Sequence, residues 1–243
     1  MGRLYIVPTP IGNLEDITLR AIRILKEAEC ILSEDTRTTR RLLDTYQIST
    51  PCMPYHKFNE HGQLKHYLRL IEDRTSVALV SDAGTPGISD PGFLLIRECV
   101  RNGIEVECLP GASACITAVV NSGIPCDRFY FYGFLPHKKG RQTALERLSQ
   151  LEETFVLYES PHRIVKALEQ LLAFCGAQRP VCVSRELTKI HEENFRGTLE
   201  EAVRHFSGKE SVKGEITLVV GGKNSLQDPV PDDLEADSQK NLP

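Results

Sequence analysis

Val77-Ala78-Leu79-Val80-Ser81-Asp82-Ala83-Gly84-Thr85-Pro86-Gly87-Ile88-Ser89-Asp90-Pro91-Gly92-Phe93-Leu94-Leu95-Ile96 is the stretch that decides the fold. The apolar run at 77–80 has the length of a buried strand, and 93–96 starts a helix. Between them, three glycines and two prolines fall within residues 84–92. That composition excludes both helix and central strand. Strand-to-helix connections usually run about 2–6 residues, so a longer loop stiffened by proline is built to hold something. Glycine lets backbone approach a ligand closely, and proline fixes the loop in advance. The stretch reads as a ligand clamp at the carboxyl end of a strand, against the plainer reading of a surface turn.

Outward from the clamp, strands and helices alternate. Residues 4–7 read as a strand, followed by a helix that Asp16 would cap and whose apolar face is Ile17, Ala21, Ile24, Leu25 and Ala28. A strand at 30–33, a short helix at 39–46 and a helix at 63–73 lead to the clamp. A helix at 93–102 closes at Gly103, a strand follows at 104–108, and Pro110-Gly111-Ala112-Ser113 opens another helix. Gly123 and Pro125 interrupt the pattern, which predicts one domain over 1–122 and a second over 123–223. In the second, strands are expected at 129–134, 154–158, 181–184 and 215–220, with helices at 141–151, 161–174 and 199–206. Such alternation predicts an α/β fold of two domains with mostly parallel sheets. Residues 224–243 turn acidic and proline-bearing, the composition of a loose tail.

The 243 residues carry a net charge of −4 and 41% hydrophobic content, which suits two cores and argues against bulk binding of polyanions. No run reaches the ~20 apolar residues of a membrane span, and 1–7 read as a strand rather than a signal peptide. The eight cysteines form no Cys-x-x-Cys pair, so zinc and disulfides are not expected, and a reducing cytoplasmic location is.

Four loops stand at predicted strand ends: Pro8-Thr9-Pro10-Ile11-Gly12-Asn13, Glu34-Asp35-Thr36-Arg37, the clamp, and 110–114. Ligands of parallel sheets lie outside the carboxyl ends of strands, so convergence on one site is the economical reading. Gly-x-Gly-x-x-Gly after a strand and the phosphate-binding Gly-x-x-x-x-Gly-Lys-Ser/Thr are both missing. The clamp holds no lysine or arginine, which suits a small adenosine-type ligand over a polyphosphate. In the second half, Tyr158-Glu159-Ser160-Pro161-His162-Arg163 and Ser184-Arg185-Glu186-Leu187-Thr188-Lys189 place opposite charges at strand ends. Basic residues cluster at Arg37, Arg40 and Arg41 and at Lys138, Lys139 and Arg141. The second cluster follows the aromatic strand at 129–134, as in RNA-binding surfaces, although alternating aromatics equally suit core packing.

Together these loops resemble the tetrapyrrole methylase superfamily. Gly84-Thr85-Pro86 is similar to that family's Gly-Asp-Pro clamp, with threonine for aspartate. Pro110-Gly111-Ala112-Ser113 is similar to its helix-opening motif, and Thr217-Leu218 to its last strand. Within the superfamily the resemblance is with the branch that methylates a ribose 2′-oxygen of a cytidine in small-subunit ribosomal RNA. It implies S-adenosylmethionine as cofactor, no metal, and a homodimer. It further implies a cofactor site at Pro10, Gly84, Thr85, Gly87, Ile88, Ser113, Ala114, Tyr158, Ile216 and Thr217. Glu159, or the Glu34/Asp35 pair, is then expected to accept the hydroxyl proton. Arg185 and Lys189 would hold negative charge nearby. Arg37, Arg40, Lys138, Lys139 and Arg141 would meet RNA, or the assembled 30S subunit. Two other readings stand beside it: a methyltransferase acting on a small tetrapyrrole, and a non-catalytic module that binds an adenosyl ligand and RNA.

Overall fold

The computed structural model describes residues 2–55 and 60–225. Beyond Ser225, the acidic stretch expected to be a loose tail lies outside the described residues. Two compact units divide the chain, one up to Thr117 together with Thr188–Ile190, the other Ala118–Leu187 and from His191 onward. The division falls five residues before the expected 122/123 boundary, within the helix Ala114–Ser122.

The first unit is a parallel sheet of β1 (Arg3–Ile6), β2 (Cys30–Ser33), β3 (Cys52–Pro54), β4 (Ser76–Val80) and β5 (Glu105–Cys108), in the order β3-β2-β4-β1-β5. Its helices are α1 (Leu19–Glu27), α2 (Thr36–Thr45), α3 (Glu60–Glu72) and α4 (Phe93–Arg101), with the first turn of α5 (Ala114–Ser122). Side chains of successive strand residues point to opposite faces. Ile31 and Ala78 therefore join a core with Ile24 and Leu25 of α1 and Leu43 of α2, while Leu32 and Leu79 join a second core with Ile71 of α3 and Leu95 of α4. Helices cover both faces, as the near-continuous apolar strands require. The cap of α1 is Thr18, whose hydroxyl accepts from the Ala21 amide. Asp16 ends a 3-10 turn capped by Asn13, because extended Ile17 separates it from the helix. β3 went unread in the sequence; proline at both Pro51 and Pro54 hides an edge strand.

The second unit is a mixed sheet of β6 (Phe129–Phe134), β7 (Thr154–Glu159), β8 (Pro180–Arg185), β9 (Glu193–Thr198) and β10 (Ile216–Val220), in the order β6-β7-β10-β8-β9. Here the mostly parallel expectation is corrected: only β6 and β7 run parallel, and the other three pairings are antiparallel. Residues 186–192 joining β8 to β9 are too few for the dozen or more of a parallel crossover, so the pair closes as a hairpin. β9 was not expected, since Glu193-Asn194-Phe195-Arg196-Gly197-Thr198 is polar, as an edge strand can be. Helices α6 (Arg141–Ser149), α7 (Ile164–Cys175) and α8 (Leu199–Ser207) cover one face. Their Leu145, Leu168 and Phe206 pack with Leu157, Val183, Ile216 and Leu218.

β10 is the central strand, and Leu218 is fully buried between Leu157 and Val183. Leu218→Ala should lower unfolding free energy by about 2–5 kcal/mol, read from urea denaturation; a change below about 1 kcal/mol would contradict this packing.

Candidate active site

In the first unit the four loops do meet. After β1 the chain runs into Thr9, whose amide donates to the Gly84 carbonyl at 2.9 Å, while the Gly84 amide donates back to the Thr9 carbonyl at 2.9 Å. The Thr9 hydroxyl also donates to the Ser81 carbonyl at 3.1 Å. Thr85 Oγ1 donates to the Ala112 carbonyl at 3.4 Å, linking the clamp to the loop after β5. At Gly111 an added Cβ would lie 2.5 Å from Pro8 Cβ, so only glycine lets those two loops approach so closely. The loop after β2 joins through the Asp35 amide, which donates to Asp82 Oδ1 at 3.0 Å.

Within the clamp, Gly84 and Gly87 take φ of 74° and 86°, the left-handed region that side chains resist. The Gly87 amide donates to the Pro91 carbonyl at 3.2 Å, folding the loop on itself. Pro10 and Gly84 are buried, Thr85, Ser113 and Ala114 half-buried, and Ile88 stands exposed at the tip. Ser89 adds a left-handed residue that is not glycine, a strain of the kind stored at functional loops. Acids predominate along these loops, with Glu34, Asp35 and Asp82 within two residues of a strand end and Asp90 further along the clamp.

Asp35 caps α2, and its carboxylate takes the Arg37 guanidinium and the Arg37 amide. Those hydrogen bonds from Arg37 hold its pKa down at about 2. A carboxylate so acidic is a weak base, and Asp35 is better described as the cap of α2. Glu34 beside it is half-buried. Arg37 is thereby spent on Asp35, and Arg40 lies 3.3 Å from Asp44 on its own helix, so both expected RNA contacts are locally paired.

In the second unit, alternation along β7 and β10 sorts the expected residues. Tyr158 is paired in register with Thr217, and Thr217 with Ser184, so these three share one face. Glu159, Ile216 and Arg185 share the other. Ile216, expected at the cofactor site, packs its side chain into the helix-covered core. Tyr158 meets Phe131 and Phe134 edge-on at 5.1 and 5.6 Å, where a bulge at Gly133 shifts the β6 register. Tyr130 and Tyr132 pack against the core, so much of the aromatic strand serves packing.

Glu159 is the clearest correction. Its side chain is 1% exposed, with Oε1 accepting from the Ser160 amide at 2.7 Å and lying 2.9 Å from Arg163 Nη2. It faces the starts of α6 and α7 rather than the Tyr158–Thr217 face. A carboxylate enclosed in this way cannot reach the hydroxyl of a polynucleotide. Arg141 is also buried, with Nε donating to Gln170 at 2.8 Å and Nη1 to the Pro136 carbonyl at 3.0 Å. It leaves the expected RNA-facing cluster, while Lys138 and Lys139 remain exposed.

Arg185 is equally committed. Its Nε donates to Glu193 at 2.9 Å, Nη1 to the Lys213 carbonyl and Nη2 to the His191 carbonyl, both at 3.1 Å. It therefore braces β8 against β9 rather than presenting its charge. Burial pushes Glu193 up, but hydrogen bonds from Lys209, His205 and Arg185 overcome it and hold the pKa at about 2. Past β8, Glu186 and Thr188 both adopt left-handed φ, 54° and 65°. Glu186 is held there by its amide donating to the Glu215 carbonyl and its Oε1 accepting from the Glu215 amide, each at 2.9 Å. Lys189 follows in the Thr188–Ile190 segment, which belongs with the first unit.

Among the described residues no group of three or more His, Cys, Asp or Glu is placed to hold a metal, and no helix is long and apolar enough to cross a membrane. All eight cysteines are free; burial pushes Cys99 up to about 12 and Cys115 to about 11.

A parallel sheet whose carboxyl-end loops are bolted together, followed by a mixed α/β unit, is an architecture this chain shares with a known family. The family model described as Tetrapyrrole (Corrin/Porphyrin) Methylases matches residues 3–203, and the chain belongs to that family. Among its relatives is the Ribosomal RNA small subunit methyltransferase I of Thermotoga maritima, 48% identical over 223 residues, covering 92% of this chain and all of the relative. The protein of the same description from Synechocystis sp. is 46% identical over 243 residues, covering all of this chain and 85% of the relative. Of solved structures, uroporphyrin-III C-methyl transferase from Thermus thermophilus, complexed with S-adenyl homocysteine, superposes with a TM-score of 0.65 at 21% identity, over 93% of this chain and all of that one. Diphthine synthase reaches 0.69 at 14% identity, covering 90% of each chain.

Two outcomes test this geometry. Gly111→Ala forces Pro8 aside and should raise hydrogen exchange at the Thr9 and Gly84 amides about tenfold, the scale of ~1–3 kcal/mol of local strain, with the strand amides unchanged; unaltered exchange would contradict the contact. Because Glu193 is more acidic folded than its ordinary 4.5, its contribution is complete above that pH and lost as pH falls towards 2. In melts across that window, Glu193→Gln should lose stability less steeply than wild type; parallel curves would contradict the assignment.

Proposed function

We propose that the protein is an S-adenosylmethionine-dependent methyltransferase acting on the ribose 2′-oxygen of a cytidine in small-subunit ribosomal RNA. The observation that carries this reading is the bolting of the clamp to its neighbours through Thr9 and Gly84, in a chain 48% identical to a Ribosomal RNA small subunit methyltransferase I. The residues fit the donor. Gly84 and Gly87 hold the clamp in a left-handed backbone shape fixed before any ligand arrives, and acidic loops free of lysine suit a cationic sulfonium better than a phosphate. Pro10, Gly84, Thr85, Gly87, Ile88, Ser113 and Ala114 would hold it.

When bound, the donor supplies a methyl group on a positively charged sulfur. The chain's own part is to fix the acceptor in line, for which stiff loops are suited; orientation supplies roughly 7–11 kcal/mol of such barriers. Glu34 is the carboxylate we assign to the acceptor's proton, since Asp35 is held too acidic and Glu159 is enclosed. Glu34 would accept the hydroxyl proton as the acceptor oxygen takes the methyl group, the donor's carbon–sulfur bond breaking to leave a neutral thioether. The reading includes a cytoplasmic homodimer, supported by Ile116 and Val120, exposed one turn apart on α5.

The test is transfer of a labelled methyl group to small ribosomal subunits lacking the modification, followed by mapping. Label on a cytidine 2′-oxygen is expected. Label on a base, or transfer only to a small tetrapyrrole, contradicts the reading, and binding without transfer leaves the non-catalytic module. Glu34→Gln should slow single-turnover transfer about 10²–10⁴-fold with donor affinity within about twofold; an unchanged rate removes Glu34 from the mechanism.

A further inference from the structure

The enclosed carboxylate of Glu159 sits among more positive charge than it can balance. Arg163 Nη2 lies 2.9 Å from Glu159 Oε1, and Arg141 Nη2 lies 3.9 Å from Oε2. Two guanidinium groups thus share one carboxylate, and Oε2 accepts no hydrogen bond. Arg141 is buried and otherwise satisfied by Gln170 and Pro136. Arg163 is 26% exposed. Its Nη1 lies 2.8 Å from Nδ1 and 3.0 Å from Nε2 of His137, the residue before Lys138. An imidazole lone pair can accept only one of its hydrogens. Among the described residues, the Nε–H and one hydrogen on each terminal nitrogen of Arg163 have no partner, and neither Lys138 nor Lys139 forms an ion pair.

Three other arginines at strand ends and helix starts differ. Arg37 and Arg40 are paired with Asp35 and Asp44, and Arg185 with Glu193. Arg163, Lys138 and Lys139 lie together where β6 and β7 end and α6 and α7 begin. Neither helix start has a side-chain cap: Gly140 precedes α6 and Arg163 precedes α7 without a cap hydrogen bond. Two uncapped, positive helix ends beside a guanidinium fork make a place for an anion. Exposed Lys138 and Lys139 alongside extend that positive surface, which suits a chain of anions over a single small one.

We propose that Arg163, held in orientation by Glu159 and His137, binds a phosphodiester of the substrate RNA, with Lys138 and Lys139 on the neighbouring backbone. Glu159 is a positioning residue: its carboxylate fixes one edge of the fork, His137 meets Nη1, and the side chain keeps 26% exposure. The proposal rests on the ribosomal RNA reading and deepens it, since phosphate contacts fix register while other contacts specify sequence.

Arg163→Met alone leaves Glu159 buried beside one fewer cation, a change that can unfold a protein. The test therefore uses Arg163→Met with Glu159→Gln, removing both charges, and Arg163→Lys, which keeps the charge and loses the fork. The readout is the affinity for unmethylated small-subunit ribosomal RNA as a function of salt, with S-adenosylhomocysteine affinity as the control. The double variant should bind RNA about tenfold more weakly, the size of one charge-assisted contact. Its slope of log affinity against log salt should be shallower by about one, and S-adenosylhomocysteine affinity unchanged. Arg163→Lys should keep the slope and lose part of the affinity. Wild-type affinity and slope in the double variant overturn the proposal while leaving the function standing. Wild-type protein that neither binds nor methylates this RNA overturns the function, and the phosphodiester assignment with it.

Discussion

Two backbone hydrogen bonds between Thr9 and Gly84 hold the first unit's site together. Each residue lies beyond the end of its own strand, where a parallel sheet offers no further partner, and each satisfies the other's amide and carbonyl. Without that exchange the clamp and the loop after β1 would be two independent surface loops, each paying its own ordering entropy. Paired, they restrain one another. Gly111 completes the arrangement by letting the loop after β5 come against Pro8, and Asp82 draws in the loop after β2. Rigidity of this kind is what a methyl donor requires, because little of the barrier is removed by proton traffic alone when the reacting atoms are misaligned.

The second unit follows a different logic. Its central strand β10 is antiparallel to both neighbours, so no common carboxyl edge exists there as it does in the first sheet. Function has to be carried by faces and by the short parallel margin of β6 and β7. On one face Tyr158, Thr217 and Ser184 stand in register; on the other, Glu159 and Arg185 are drawn into ion pairs that brace the unit. The same alternation that builds the core thus separates residues adjacent in sequence into unrelated tasks.

Much of the fold was legible because it rests on local signals. The apolar run at 77–80, the glycines and prolines after it, and Gly103 at a helix end each report a conformation that few residues permit. Convergence of the four loops also followed, since parallel topology forces their strand ends to one edge. What could not be read was pairing direction and side-chain fate. β9 is polar and β3 contains proline, so neither carries an apolar pattern, and the hairpin 186–192 that reverses the second sheet is visible only as a length. Glu159 looked like a catalytic carboxylate because charge at a strand end is common to bases and to buried braces. Burial and the Arg163 contact distinguish them, and neither is encoded in spacing. The one available hint was Arg163 itself, an opposite charge four residues on across a short turn.

The central claim is that the loops joined through Thr9 and Gly84 are the seat of the methyl donor. A crystal structure of the protein with S-adenosylhomocysteine tests it most directly. The account predicts the nucleoside against the backbone of residues 83–88 and 112–114, with the Thr9–Gly84 bonds intact. An adenosine bound away from those residues, or a loop that must unpair from Thr9 to admit it, would contradict the account.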